Sequence, residues 1–335
     1  MILMVTNRRI IGGEYSDEEQ HNYGYHYLTD HRNGPRGMDG FDGKGRTRFK
    51  AALLRGMLDL KAGGIATPKV GIYLHGFNND WQSSIDEVVD LHTALSPILG
   101  YEPILIGFSW PSTGRTLHYL SDSEEVRDSV PAFTRFLKDI NDFLAENERD
   151  CFSTTFCIAD SMGNYLLRKS MEYLSDSLGT PVGRGMFDET VLLAPDISSS
   201  DIEIDGKGRY IADFSRRVHV YYSRFDRALK ASSAKGFGGN RLGRHGADDY
   251  ENLRSNIVVV DAALYANSDS IAAAGLIDRA GKQVSTHSSH RYHPAILADV
   301  VNVLSSIDRG EITTRRAASK TPDRPDIPIN HIELI

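Results

Sequence analysis

The chain has 335 residues, 40% hydrophobic and 25% charged, which is typical of a soluble globular enzyme. Its formal net charge of −7 disfavours nonspecific binding to nucleic acid or anionic membranes, so neither is expected as a partner. The N-terminus lacks the apolar core and cleavage site of a signal peptide, and no stretch approaches the roughly 20 apolar residues that cross a bilayer. We therefore expect a cytoplasmic protein.

The two cysteines, Cys151 and Cys157, fall in one apolar run, CFSTTFCIA. Residues six apart in an extended strand are separated by roughly 20 Å. A disulfide needs Cα atoms within about 7 Å of each other. Reduced, buried thiols are therefore expected, as in a reducing cytosol.

Apolar, β-branched runs alternate with longer helical patterns, which is typical of βαβ units. Strands are predicted at 70–76, 103–110, 153–160, 189–195, 217–223 and 256–262. Helices are predicted at 46–63, 80–99, 123–146, 164–178 and 294–307. Pro131 is expected to kink or restart its helix, while Pro294 suits a first turn. The nearly continuous apolar strands predict an α/β fold, with a mostly parallel sheet covered by helices on both faces.

The domain organisation predicted from these patterns is one domain over residues 1–312. Residues 1–65 are predicted to form one or two edge hairpins followed by a helix. The segment 313–335 is polar and contains prolines, and is predicted to be an extended or partly disordered tail.

A buried strand runs directly into Ser161 in the segment FCIADSMGNYLL, and a helix follows. This order is typical of a nucleophile elbow, a strained turn that exposes the serine hydroxyl above the sheet. The positions two before and two after the serine must be small, and here they are Ala159 and Gly163. Ser161 is therefore the candidate nucleophile, and the amide of Met162 is a candidate oxyanion donor. The alternative is that Ser161 only caps the helix.

The segment HGFN follows an earlier predicted strand. In enzymes with such an elbow, the loop after the third strand supplies a second oxyanion amide, often next to a His-Gly pair. Phe77 is the candidate donor, because Gly76 permits a close backbone approach. We expect His75, Gly76, Asn78 and, from the segment FSWPS, Trp110 to border the substrate. The alternatives are an ordinary capped turn and a core position for Trp110.

The candidate acid is Asp226, which follows the predicted strand RVHVYYS in the loop beyond the next-to-last strand. A carboxylate there can accept a hydrogen bond from a histidine and fix its tautomer. Asp196 is the rival, because it follows the preceding strand, and Asp261 is a weaker candidate at the end of the last strand. Chain order favours Asp226.

The candidate base comes from STHSSHRYHP, after the last strand, where chain order expects a histidine. His290 is the favoured residue and His287 the second, while His293 adjoins a proline at the start of the final helix. The spacing of three also suits a metal-binding alternative, because imidazole is a common zinc ligand. No carboxylate or thiol nearby completes a four-ligand site, so we expect no metal and no cofactor.

Together, these segments resemble a bacterial family of α/β-hydrolases of largely unknown function. The resemblance covers roughly residues 70–305 and is carried by HGFN, FSWPS, DSMGN, LLAPD, YSRFDRAL, RLG and HRY. It implies an α/β-hydrolase fold and the triad Ser161, Asp226 and His290. One departure matters: the family usually has histidine where this chain has Asp160.

We predict a serine hydrolase of carboxylesterase type, cleaving a small-molecule ester through an acyl-enzyme on Ser161. Asp160 is expected beside the substrate, where its charge either disfavours the oxyanion or raises the pKa of His290. The alternatives are a weak or inactive binding protein that uses the hydrolase cleft, and a metal-dependent hydrolase built on the three histidines. The glycine-rich segment 235–246 is either a lid or an ordinary loop. Nothing in the sequence specifies an oligomeric state.

Overall fold

The structure is a computed structural model. It describes residues 1–30, 41–43, 45–112, 119–147, 154–178, 185–234, 239–318 and 330–335. Contacts divide the chain into two compact units, the first formed by Met1–Ile158 with Lys169–Gly179 and the second by Ala159–Arg168 with Thr180–Ile335. This division does not test whether residues 1–312 form a single domain, which stays a prediction.

The first unit contains a mixed sheet and a separate hairpin. Its strands are β1 (Ile2–Thr6), β2 (Arg8–Ile11), β3 (Glu14–Glu19), β4 (His26–Asp30), β5 (Phe41–Gly43), β6 (Lys69–Leu74), β7 (Ile104–Ser109) and β8 (Thr154–Asp160, whose last two residues belong to the second unit). The sheet runs in the order β8, β6, β7, β1, β4, β5. Strands β6, β7 and β1 are parallel, β4 and β5 add antiparallel pairings, and β2 pairs with β3 as a hairpin.

The helices of the first unit follow the predicted pattern. They are α1 (Gly45–Ala62), α2 (Trp81–Leu99), α3 (Tyr119–Glu146) and the later turns of α4 (Gly163–Leu178). The helix does not restart at Pro131, because α3 runs through it as one helix, and a kink there stays a prediction. A proline removes one backbone hydrogen bond. The buried side chains of Val126, Val130, Phe133 and Phe136 hold both sides of that gap against the core.

The second unit contains a mostly parallel sheet. Its strands are β9 (Phe187–Leu193), β10 (Ser215–Tyr222), β11 (Ile257–Asp261), β12 (Arg315–Ala317) and β13 (His331–Leu334). They run in the order β9, β10, β11, β13, β12, and the pairing of β12 with β13 is antiparallel. The helices are the first turns of α4, then α5 (Arg209–Asp213), α6 (Arg227–Ala234), α7 (Leu242–His245), α8 (Ser268–Ala273) and α9 (Pro294–Leu304). Pro294 lies in the first turn of α9, as predicted.

All six strands predicted from the apolar runs are present, as β6 to β11, so the α/β pattern is confirmed. Their inward side chains are fully buried in both units, with Leu105, Ile158, Leu192 and Val220 as examples. Cys157 is a buried free thiol, whereas Cys151 lies outside the described residues. Within the described ranges, no helix has the length and apolar character of a membrane span.

Both chain ends differ from the prediction. β1 is not part of an edge hairpin, because it lies between β7 and β4 with every residue buried. The segment 313–335 is not simply an extended tail, because it supplies strands β12 and β13. Ile332 and Leu334 are buried, so the apolar residues among the polar ones hold this segment on the sheet. Residues 319–329 lie outside the description.

Candidate active site

Ser161 occupies a sharp turn between β8 and α4. Its φ angle is 50°, in the left-handed region that costs a residue with a Cβ roughly 1–2 kcal/mol. Strain of this kind persists only where the surroundings hold the turn in place. The turn therefore has the backbone geometry expected of a nucleophile elbow.

Hydrogen bonds within the second unit hold this turn. The Ser161 amide donates to the Leu193 carbonyl at 3.0 Å, and the Asp196 amide donates to the Ser161 carbonyl at 3.1 Å. The buried side-chain amide of Asn164 donates to the carbonyls of Ala159 at 3.1 Å and Ser161 at 3.0 Å. The asparagine of DSMGN thus stabilises the elbow from the side of the helix.

The alternative role of Ser161 as a helix cap does not fit this geometry. A capping serine has extended backbone angles and accepts an amide proton on its hydroxyl. Here the Asn164 amide donates to the Ser161 carbonyl instead, at 3.2 Å. The neighbouring amide of Met162 donates to no described residue. Its role as an oxyanion donor stays a prediction.

Asp226 contacts a histidine in the same unit. It lies beyond the end of β10, and its Oδ1 accepts the Leu229 amide at 2.9 Å. Its Oδ2 accepts a hydrogen bond from Nδ1 of His287 at 2.6 Å. Arg244 also donates to its backbone carbonyl. The fully buried carboxylate is thus fixed in the orientation that holds an imidazole ring.

The favoured histidine, His290, does not make this contact. Its Nδ1 lies 3.2 Å from the carbonyl of His287, and no described residue bonds its buried Nε2. His287, just before the 3-10 turn at Ser288–Arg291, makes the hydrogen bond to the carboxylate, while His290 lies within that turn. The structure therefore brings Asp226 together with the second candidate, not with the favoured one.

His293 has a different role from either neighbour. Its Nδ1 accepts the Ala295 amide at 3.3 Å, so it caps α9, and its Nε2 lies 3.1 Å from the Ser270 hydroxyl. The three histidines thus make three separate sets of contacts. Among the residues that the structure describes, no group of three His, Cys, Asp or Glu side chains is arranged to hold a metal ion.

The charges of this pair shift the pKa values of both groups. Burial raises the pKa of Asp226, but the charge and hydrogen bond of His287 lower it by more, so the net pKa lies below its usual value. Burial lowers the pKa of His287, but the carboxylates of Asp226, Asp160 and Asp196 raise it by more, to about 9. By contrast, burial lowers the pKa of His290 to about 4. Within this segment, His287 is the imidazole whose cation is stabilised.

The rival carboxylates have other partners. Asp196 accepts the Ser232 hydroxyl at 2.9 Å and lies 3.3 Å from Nε of Arg241. Asp261 accepts the Tyr222 hydroxyl at 3.3 Å. Asp160 forms a buried ion pair with Arg291, 2.9 Å from the Arg291 Nε to its Oδ2.

The HGFN segment lies in the first unit, and its histidine is part of the core there. His75 stacks on Trp110 with ring centroids 4.9 Å apart, and the Trp110 indole donates to the His75 carbonyl at 3.1 Å. Both side chains are buried, so the core position weighed for Trp110 fits the structure. The Gly76 carbonyl accepts the side-chain amide of Asn79 at 3.2 Å. Asn78 adopts a φ of 66°, which asparagine tolerates better than most residues.

Substrate contacts of this loop, and an oxyanion amide from Phe77, stay predictions. The buried Arg8, which also holds this loop, was not among the predicted site residues. Its guanidinium donates to the Asn79 carbonyl at 2.6 Å and to the Ser109 hydroxyl at 2.9 Å. An arginine at the end of an apolar strand was the available signal, since a buried arginine must be paired.

The segment 235–246 is not a free lid over its described part. The Gly243 amide donates to the Pro195 carbonyl and the Leu242 amide to the Ile197 carbonyl, both at 2.9 Å. A Cβ on Gly243 would lie 2.3 Å from the Ala194 backbone, so the glycine permits this close approach. Residues 235–238 lie outside the described residues.

Residues 63–280 match a family described as alpha/beta hydrolase of unknown function (DUF900). The match covers more than half of the chain, so the chain belongs to this family of α/β-hydrolases, and the predicted resemblance and fold class are confirmed. One relative is "Uncharacterized protein alr1448" of Nostoc sp. (strain PCC 7120 / SAG 25.82 / UTEX 2576), 29% identical over 174 residues. The aligned parts are 44% of this chain and 43% of the relative, so the chain spans less than half of that relative's length.

Proposed function

We propose that this chain is a serine hydrolase that cleaves carboxylic esters through an acyl-enzyme on Ser161. His287 is its general base, and Asp226 orients the base. The observation that carries the proposal is the 2.6 Å hydrogen bond between Asp226 and Nδ1 of His287. With Nδ1 occupied as a donor, the other ring nitrogen, Nε2, is the one that can accept a proton.

The proposed reaction has two halves. In the first, Nε2 of His287 accepts the proton of the Ser161 hydroxyl as its oxygen attacks the acyl carbonyl. The Met162 amide stabilises the oxyanion, and the imidazolium returns the proton to the departing alkoxide. In the second, His287 deprotonates a water molecule that attacks the acyl carbon. The acid leaves, the proton returns to the serine oxygen, and free enzyme is restored.

Labelling by a fluorophosphonate probe tests the nucleophile directly. We expect wild type to be labelled and to hydrolyse p-nitrophenyl acetate and butyrate. Ser161→Ala is expected to lose labelling and at least about 10,000-fold in kcat, because the acyl-enzyme needs that oxygen. Ser170→Ala is the matched control, because it makes the same substitution at another buried serine, which lies on α4. It should keep both properties.

Two results would contradict the proposal. Equal turnover by wild type and Ser161→Ala would remove Ser161 from the reaction. A folded wild type with neither labelling nor turnover would favour the binding-protein alternative, in which the elbow is retained without an activated serine.

The pH dependence of kcat/KM tests the base. His287 must be neutral to accept a proton, and its pKa is raised to about 9, so the active form is lost as pH falls below that value. We expect kcat/KM to rise by about tenfold per pH unit from pH 6 and to level off near pH 9. At pH 7 it should be about one hundredth of the plateau. A profile already flat at pH 7 would contradict this environment for His287.

A further inference from the structure

The residue before the proposed nucleophile forms a buried ion pair. Nε of Arg291 lies 2.9 Å from Oδ2 of Asp160, and the two side chains are 9% and 4% exposed. The other carboxylate oxygen of Asp160 is buried and has no hydrogen-bond partner among the described residues. A buried carboxylate is costly unless a cation compensates it, so Asp160 depends on Arg291 for its charge.

The two ends of this ion pair belong to the two segments that the proposed reaction must bring together. Asp160 ends β8 and is bonded directly to Ser161. Arg291 ends the 3-10 turn Ser288–Arg291, and His287 immediately precedes that turn. Local bonds also hold the turn, such as that of Ser289 to the Thr286 carbonyl at 2.9 Å. The ion pair therefore ties the elbow to the histidine segment.

The same carboxylate acts on the charge of the histidine. Burial lowers the pKa of His287, and the groups that raise it are Asp226, Asp160 and Asp196. For Asp160, burial raises the pKa by more than Arg291 and His287 lower it, and Asp226 raises it further, so the net pKa lies above its usual value. Neutralising Asp160 should therefore lower the pKa of His287.

We propose that Asp160 and Arg291 are a positioning pair that holds the His287 segment against the elbow. Neither residue takes part in a bond-making step, and both act through His287. The expected effect of this pair on kcat rests on the proposed function, whereas its expected effect on the pKa of His287 does not.

A second buried ion pair of the same unit is the matched control. Nη1 of Arg168, on α4, lies 3.0 Å from the carboxylate of Asp201, and these side chains are 9% and 10% exposed. This pair matches Asp160 and Arg291 in burial and in residue types. However, Asp201 is not among the groups that shift the pKa of His287. A general effect of losing a buried ion pair will appear at both pairs, and a positioning effect only at the first.

The experiment measures the pKa of His287 by NMR titration, together with kcat, KM and urea unfolding. The variants are Asp160→Asn, Arg291→Met and the double variant, and the control is Asp201→Asn with Arg168→Met. We expect Asp160→Asn to lower the pKa of His287 by at least about half a unit and to shift the acid limb of kcat/KM equally. Arg291→Met is expected to lower kcat at least about tenfold with a smaller change in KM, because the tie to the elbow is lost.

The double variant separates positioning from stability. Removing both charges should restore the urea midpoint toward wild type, because no buried charge is left unpaired. The kcat value should stay at least about tenfold low, because the tie is gone. If the double variant regains wild-type kcat, or if the control pair shifts His287 equally, the proposal is overturned. Should Arg291→Met not fold, Asp160→Asn and Arg291→Lys provide the same readouts.

Failure here is distinguishable from failure of the proposed function. A wild type without probe labelling or ester turnover would end the proposed function, yet the His287 titration would still report the ion pair. An unchanged His287 pKa in folded Asp160→Asn overturns the positioning proposal whether or not the enzyme turns over.

Discussion

A His287→Gln variant is expected to lose about 1,000-fold or more in kcat/KM toward p-nitrophenyl esters. Glutamine is similar in size and still offers an amide to Asp226, but it cannot accept the serine proton at neutral pH. The imidazole is partly exposed, with 19% of its side chain accessible, so the fold should tolerate this change. The measurement is kcat/KM across the pH range, with the urea midpoint as the check on folding.

His290→Gln is the matched comparison, because both histidines stand in one short segment. We expect it to change kcat/KM by less than about tenfold, since His290 contacts the His287 carbonyl rather than Asp226. It should affect stability more than His287→Gln does, because its ring is fully buried. If His290→Gln proves the more damaging to turnover, the original choice of base from the sequence is right and His287 is an orienting group.

The second large effect is expected at Arg315, on the short strand β12. Its guanidinium donates to both oxygens of the buried Asp299, from Nε at 2.7 Å and from Nη2 at 2.5 Å. The same Nη2 donates to the Tyr221 hydroxyl at 3.1 Å, and that hydroxyl donates to Asp299 at 2.6 Å. Arg315→Met leaves the Asp299 carboxylate buried without its counterion, so we expect a loss of about 3–5 kcal/mol in the free energy of unfolding.

The neighbouring Arg316 gives the control for this prediction. It pairs with Glu333 at 2.8 Å, but its side chain is 67% exposed. Surface ion pairs contribute little, so Arg316→Met should cost less than about 1 kcal/mol. Urea unfolding of both variants measures the difference. Equal costs would show that the buried network does not anchor β12. Combining Arg315→Met with Asp299→Leu should recover much of the loss, because no charge remains unpaired.

Much of the fold could be predicted because its signals are local. Nearly continuous apolar runs marked β6 to β11, and apolar residues at helical spacing marked α1 to α4 and α9. Chain order then led from Ser161 to Asp226, since each lies beyond the end of a parallel strand. These features depend on neighbouring residues and on the order of elements, and both are written directly in the sequence.

The structure of the chain ends was harder to predict, because their position depends on partners far along the chain. The residues of β1 are apolar, but nothing in them specifies pairing with β7 rather than with a hairpin partner. Arg315 was counted with a polar tail, although its charge is neutralised by a carboxylate on α9. From sequence alone, a charged residue is expected to be exposed to solvent, and only the structure shows a buried counterion.

In the candidate site, too, some features could be predicted from the sequence and others only from the tertiary structure. The sequence by itself predicted the elbow, with Ser161 between small residues, and Asp226 as the candidate acid. It also limited the candidate base to the histidines of the segment 287–293. Only the tertiary structure shows which of them contacts Asp226, because the bond from His287 to Asp226 joins residues 61 positions apart. The backbone path of the turn Ser288–Arg291 determines which of the three histidines contacts Asp226. The pairing of Asp160 with Arg291 depends on that same turn. Local patterns carry no information about such distances, and packing therefore decides them.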